Sequence, residues 1–151
     1  MPSATIETIV GSLCVTEADG AITELAWREV ESSDTTALLC LAIEQLRAYF
    51  AAELQVFDLP LQVAGSDFQR AVCDAMLAIP FGETRTYGDI GRDLKAPPQP
   101  IGNACGANPI PVIIPCHRVL GANGLGGFSG RGGVETKVTL LKHEGAAGLL
   151  I

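Results

Sequence analysis

The chain has 151 residues, 48% hydrophobic and 18% charged. That length and composition suit one domain or two small lobes with a real core, and they exclude a disordered chain. Net charge is −7, which on its face disfavours a polyanionic partner. The charge is unevenly spread: residues 1–84 carry three basic and thirteen acidic side chains, and residues 85–151 carry seven and four. An acidic half beside a basic half is a hint of polyanion binding, or simply a soluble acidic lobe. No apolar run approaches the ~18 residues of a membrane span. The first ten residues, MPSATIETIV, lack the basic-then-apolar order of a signal peptide, so a cytoplasmic protein is expected. The five cysteines are odd in number and show no CxxC spacing, which points to reduced thiols and away from a disulfide framework. With only His117 and His143 present, no metal site is expected.

In chain order, residues 4–15 are rich in β-formers and end at the turn Ala18-Asp19-Gly20, and residues 21–28 alternate as a return strand. Together they predict a hairpin. Ser32, Ser33 and Asp34 are candidate caps for a helix over 37–52, whose apolar stripe is Leu38, Leu39, Ala42, Leu46 and Phe50. A linker follows at 58–63, with a short extended piece around Pro60. Ser66 and Asp67 cap a second helix over 68–79, with Phe68, Val72, Ala75, Met76 and Ile79 on one face and a stop at Pro80-Phe81-Gly82. This divides the chain into an N-terminal αβ lobe, 1–63, and a second lobe, 64–151.

In the second lobe, residues 87–94 predict a short helix and 95–100 a proline-rich turn. Residues 101–107 predict a second short helix, with Pro100 in its first turn. Helix, turn and helix make a helix-turn-helix candidate. Its small residues Gly102, Ala104, Gly106 and Ala107 allow close approach of a partner, or tight packing in a core. Ile110 to Ile114 is an apolar run between prolines, expected to be a buried strand that ends at Pro115 and presents Cys116 at its tip. A cysteine there is either an inert packing residue or a nucleophile. His117 and Arg118 could activate it. Neighbouring side chains on an extended segment point to opposite sides, however, so contact between Cys116 and His117 needs a bridging water or a sharp turn.

Pro115-Cys116-His117-Arg118-Val119 resembles the active-site motif of the O6-alkylguanine-DNA alkyltransferases, the methylated-DNA–protein-cysteine methyltransferase family. The similarity extends to Gly102, Ala104, Asn108, Pro109 and Pro111 before the motif, and to Gly126-Gly127-Phe128-Ser129-Gly130 after it. Lys137 and Leu140–Gly145 resemble the family's C-terminal helix. Gly82 and Thr86–Ile90 resemble the start of its helix-turn-helix. Five spaced motifs in the family's order cover residues 66–146.

The resemblance implies an α/β (α+β) fold: a hairpin-and-helix lobe, then a mostly helical lobe with a helix-turn-helix. It implies direct, single-turnover repair, in which an alkyl group leaves O6-alkylguanine in DNA, and by extension O4-alkylthymine, for Cys116. His117 is implied as a base acting through water, Glu144 as its orienter, Tyr87 as a proton donor to the purine, and Asn108 as the clamp of the turn. Base and DNA contacts are implied for Gln99, Ile101, Gly102, Pro115, Val119, Phe128, Ser129, Gly130, Arg92 and Lys137. Arg118 is implied to be structural, tying the site to the lower lobe. The implied partner is alkylated DNA, met through the minor groove with its guanine flipped out. The protein is expected to be a monomer with no cofactor and no membrane contact. The family usually carries an arginine wedge before the recognition helix, where this chain has Gln99 in a shorter turn. Two other readings remain: a lesion sensor that binds without transferring, and a cysteine hydrolase pairing Cys116 with His143.

Overall fold

The computed structural model describes residues 1–128 and 130–146. They form two compact units, Met1–Ala64 and Gly65–Ile151. Among the described residues, no helix is long and apolar enough to cross a membrane.

The first unit is a three-stranded antiparallel meander, β1 (Ser3–Thr8), β2 (Gly11–Ala18) and β3 (Ala21–Ala26), with one helix, α1 (Ala37–Phe50). The expected single strand over 4–15 is two strands. The chain reverses between Thr8 and Gly11, where the φ of +107° at Gly11 suits glycine. The β-formers Ile9 and Val10 sit in that turn, so composition concealed it. Helix α1 is capped by Thr36, whose side chain accepts from the Leu39 amide, and not by Ser32, Ser33 or Asp34. Ser33 and Asp34 accept instead from the backbone amides of Thr5 and Ser3. They thereby blunt the open edge of β1. Tyr49 completes the buried stripe of α1 in place of Phe50. The extended piece at Pro60 lies along β3: Ile22 donates to the Pro60 carbonyl and accepts from the Gln62 amide.

The second unit holds helices α2 (Asp67–Leu77), α3 (Tyr87–Leu94), α4 (Pro98–Gly106) and α5 (Val134–Glu144). A short parallel pair, β4 (Arg85–Thr86) and β5 (Val119–Leu120), joins the chain before α3 to the chain after Cys116. Ser66 caps α2. A reciprocal capping box of Thr86 and Asp89 starts α3. The turn into α4 doubles back through Lys95 in the left-handed region, so closely that a Cβ at Gly91 would collide with the Ala96 carbonyl oxygen.

Two expectations need correction here. Helix α4 begins at Pro98, so Pro98, Gln99 and Pro100 belong to its first turn. First-turn amides have no intrahelical partner to lose, which is why prolines are tolerated there. Residues 110–114 are buried but form a tight loop instead of a strand. The Asn108 side chain folds it, donating to the Ile114 carbonyl (2.9 Å) and accepting from the Ile110 amide (3.0 Å), and Val112 takes φ +73°.

Candidate active site

Cys116 opens a single 3-10 turn, Cys116–Arg118, directly after the buried Pro115. This turn, not an extended strand, sets the directions of Cys116, His117 and Arg118. The thiol is 5% exposed. Burial pushes its pKa up to about 11, against opposing pulls from a hydrogen bond to the Asn108 side chain and from the Lys137 charge. An uncharged resting thiol needs a base to become a nucleophile.

The next residue in the turn is an imidazole. His117 is wholly buried, and its Nε2 lies 2.7 Å from Glu144 Oε2. Glu144, near the C-terminal end of α5, also accepts from Arg118 Nε (2.8 Å) and Arg118 Nη2 (3.0 Å). Arg118 Nη1 donates to the Ile79 carbonyl at the end of α2 (2.7 Å). These Arg118 partners all lie in the second unit. Because Arg118 already balances Glu144, the carboxylate does not require a charged imidazole. Burial holds the pKa of His117 below its ordinary value despite the pull of Glu144. A neutral ring facing a carboxylate carries its proton on Nε2. That leaves Nδ1 as a lone pair, buried and with no hydrogen-bond partner among the described residues.

These shifts give a pH expectation. His117 is neutral when folded and protonates more readily when unfolded, so its contribution to stability is present above about pH 6.5 and is lost as pH falls. Cys116 has a raised pKa, so its contribution is present below about pH 9 and fades as pH rises toward 11. Melting temperature should peak between these limits. Cys116→Ala should flatten the alkaline fall, and an unchanged alkaline limb in that variant would contradict the assignment.

A cavity of about 430 Å³ opens over Cys116, lined by Tyr87, Gly102, Cys105, Gly106, Gly127 and Phe128. Tyr87, the first residue of α3, takes a backbone hydrogen bond from Gly127, and burial raises its pKa so that the phenol keeps its proton. Gly126 permits that contact: its φ is +72°, and a Cβ there would sit 2.7 Å from the Tyr87 oxygen. Lys137 on α5 is fully buried and donates to the Val119 carbonyl (2.7 Å) and the Gly127 carbonyl (3.0 Å).

Of the residues singled out by sequence, Tyr87, Gly102, Cys116 and Phe128 line the cavity, and Asn108, His117 and Glu144 stand behind it. Ile101 and Val119 are wholly buried core residues. Neither offers a surface to DNA. Lys137 holds the cavity's edge from inside, so it too is no surface contact. Gln99 is exposed in the first turn of α4, and Arg92 is exposed on α3 and paired with Asp89. Gly130 is half-buried, and its carbonyl accepts from Gly133. Ser129 lies outside the described residues. Sequence reasoning missed Cys105 as a cavity residue. The signal was there, since positions 102, 105 and 106 share one face of a helix.

Residues 67–146 match the model of the 6-O-methylguanine DNA methyltransferase DNA-binding domain. A methylated-DNA–protein-cysteine methyltransferase of Mycolicibacterium paratuberculosis is 51% identical over 106 residues, covering 68% of this chain and 63% of the relative. One from Methanosarcina acetivorans is 48% identical over 108 residues, covering 70% and 68%. The match thus spans just under two thirds of the mycobacterial relative. Among solved structures, the O6-methylguanine methyltransferase of Mycobacterium tuberculosis superposes with a TM-score of 0.83 at 38% identity, covering 95% of this chain and 92% of that one. The same organism's protein in complex with DNA gives 0.84 at 40% identity, covering 99% and 98%. The chain belongs to the methylated-DNA–protein-cysteine methyltransferase family.

Proposed function

We propose that this protein repairs DNA by moving an alkyl group irreversibly from the O6 atom of guanine, and by extension the O4 atom of thymine, onto Cys116. The observation that carries the reading is the buried His117–Glu144 pair next in sequence to Cys116, beneath a cavity that Cys116 and Tyr87 line. His117 Nδ1 takes the thiol proton through a bridging water. The Cys116 sulfur attacks the alkyl carbon, the carbon–oxygen bond breaks, and Tyr87 supplies a proton to the departing purine. Guanine is restored and a thioether remains. No group on the protein cleaves that thioether, so each molecule acts once. One chain suffices and no cofactor enters, since nucleophile, base and acid are all its own side chains. The target base sits inside a duplex and has to be flipped out to reach the cavity. Helix α4 is the element offered to the minor groove, and a cytoplasmic setting keeps the thiols reduced.

The test is intact mass and peptide mapping after mixing with methylguanine-containing DNA. One methyl group per protein, on Cys116, is expected. Binding without any gain in mass identifies a lesion sensor and overturns the proposal, as does methylation of another cysteine or repeated turnover.

Gln99 gives a second expectation. At the exposed start of α4, it stands where the family's arginine fills the gap left by a flipped base. Glutamine is neutral and shorter, though it can still hydrogen-bond an orphaned base. Flipping costs a few kcal/mol in a duplex and less in a single strand. Gln99→Arg should therefore speed single-turnover transfer several-fold on duplex DNA, less on single strands, and not at all on free alkylguanine. Equal change on all three substrates would remove Gln99 from the flipping step.

A further inference from the structure

We infer that Cys105 is a resolving thiol for Cys116, so that oxidation within the cavity ends in a reversible Cys105–Cys116 disulfide. Two of the five cysteines line this cavity, and they approach it from different elements: Cys105 from α4 and Cys116 from the 3-10 turn. The neighbours of Cys105 on the cavity side of α4 are Gly102 and Gly106, so no side chain from them stands between the two sulfurs. Charge on the Cys116 thiolate is felt at Cys105. Cys73, the other thiol nearby, is buried on α2, receives a hydrogen bond from Gln69, and does not line the cavity. A purely structural cysteine would serve as a small apolar filler, and Cys105 instead faces the space reserved for an electrophile.

The chemistry balances with a hydroperoxide as oxidant. The Cys116 thiolate attacks the peroxide oxygen, the O–O bond breaks, and a sulfenic acid forms with release of water or an alcohol. The Cys105 sulfur then attacks the Cys116 sulfur, the S–O bond breaks, the S–S bond forms, and a second water leaves with the Cys105 proton. The relay that activates Cys116 for transfer serves the first step. Burial pushes the Cys105 thiol up to about 12, which makes it a slow nucleophile toward outside reagents. Confinement in one cavity compensates, because an intramolecular partner acts at high effective concentration. The bridge requires Cα atoms within about 7 Å, so it occupies the space a flipped base needs and blocks transfer. A dithiol reductant would reopen it, and Cys116 would be spared the irreversible sulfinic and sulfonic states. The consequence for transfer rests on the reading of Cys116 as alkyl acceptor; the bridge itself does not.

The experiment treats the whole protein with hydrogen peroxide and divides it between mass spectrometry and a transfer assay before and after dithiothreitol. Trypsin cuts after Lys95 and Arg118, so both thiols leave on one peptide. The expected product is that peptide lighter by two hydrogens, without fragment ions from the segment between the cysteines, and restored by dithiothreitol. Each protein's recovered activity is compared with its own untreated rate. Wild type should regain most of it. Cys105→Ser and Cys105→Ala should regain less than about a tenth, with Cys116 found as sulfinic acid. A wild-type protein that accumulates sulfinic Cys116 beside a free Cys105, or that bridges Cys116 to another cysteine, overturns the inference. A bridge that forms in a protein unable to take up methyl groups would leave the inference standing and sink the proposed function instead.

Discussion

Glu144→Gln is expected to lower stability by about 3–5 kcal/mol and, in the molecules that stay folded, to slow transfer by about 10²–10⁴-fold. Glu144 serves two neighbours at once. It is the buried counter-charge for Arg118, held through both carboxylate oxygens, and the acceptor that fixes His117. An amide at this position leaves a buried guanidinium uncompensated, a costly arrangement out of a total stability of about 5–15 kcal/mol. It can also present a donor to His117 Nε2, which favours the tautomer with its proton on Nδ1, and that tautomer cannot accept from the thiol. Stability and rate must be separated. Melting gives the first. Single-turnover transfer in the cold, normalised to the fraction of protein that is finally alkylated, gives the second. A variant that melts early yet reacts at the normal rate would make Glu144 a structural residue only.

The sequence made this site legible unevenly, for physical reasons. Adjacent residues Cys116 and His117 could be named from their motif. Their geometry could not, because an apolar run between prolines carries the same signal whether it extends or folds on itself. The two side-chain bonds of Asn108, to Ile110 and Ile114, fold the run 110–114 into a loop ahead of the 3-10 turn, and an apolar pattern carries no sign of them. The helix caps show a similar limit. Ser66 is the first capping residue before its helix and was readable. Ser33 and Asp34 are equally good caps by type, but they are captured by the β1 edge, a partner some thirty residues away in sequence. The glycine loop at 126–127 could be aligned by motif, yet the reason for Gly126, the phenol packed against its α-carbon, appears only in three dimensions. Lys137 misled in the opposite direction. The resemblance carried it over as a base or DNA contact, and burial is the last place a free ammonium is expected.

Lys137 supports the last prediction. Its ammonium is desolvated, which lowers its pKa, and it is held by two carbonyl oxygens. Burying such a charge is expensive, and an apolar side chain of similar volume often does as well for stability. Lys137→Met should therefore shift stability by no more than about 1–2 kcal/mol, since the relief of desolvation offsets the two unsatisfied carbonyls. Transfer should suffer more. Lys137 is the cation that opposes the upward shift of the Cys116 thiol. It also fixes the Gly127 carbonyl, and Gly127 in turn bonds the Tyr87 phenol. Losing the charge should move the thiol still higher, and each unit of that shift removes about tenfold of the thiolate. The expected loss is about 10–100-fold in single-turnover rate, with the rate-against-pH profile displaced to higher pH. Lys137→Arg keeps the charge but brings a larger planar head to a site built around a point charge, so it should restore the pH profile only in part. A Lys137→Met protein with a rate within about twofold of wild type and an unmoved pH profile would reduce this lysine to packing.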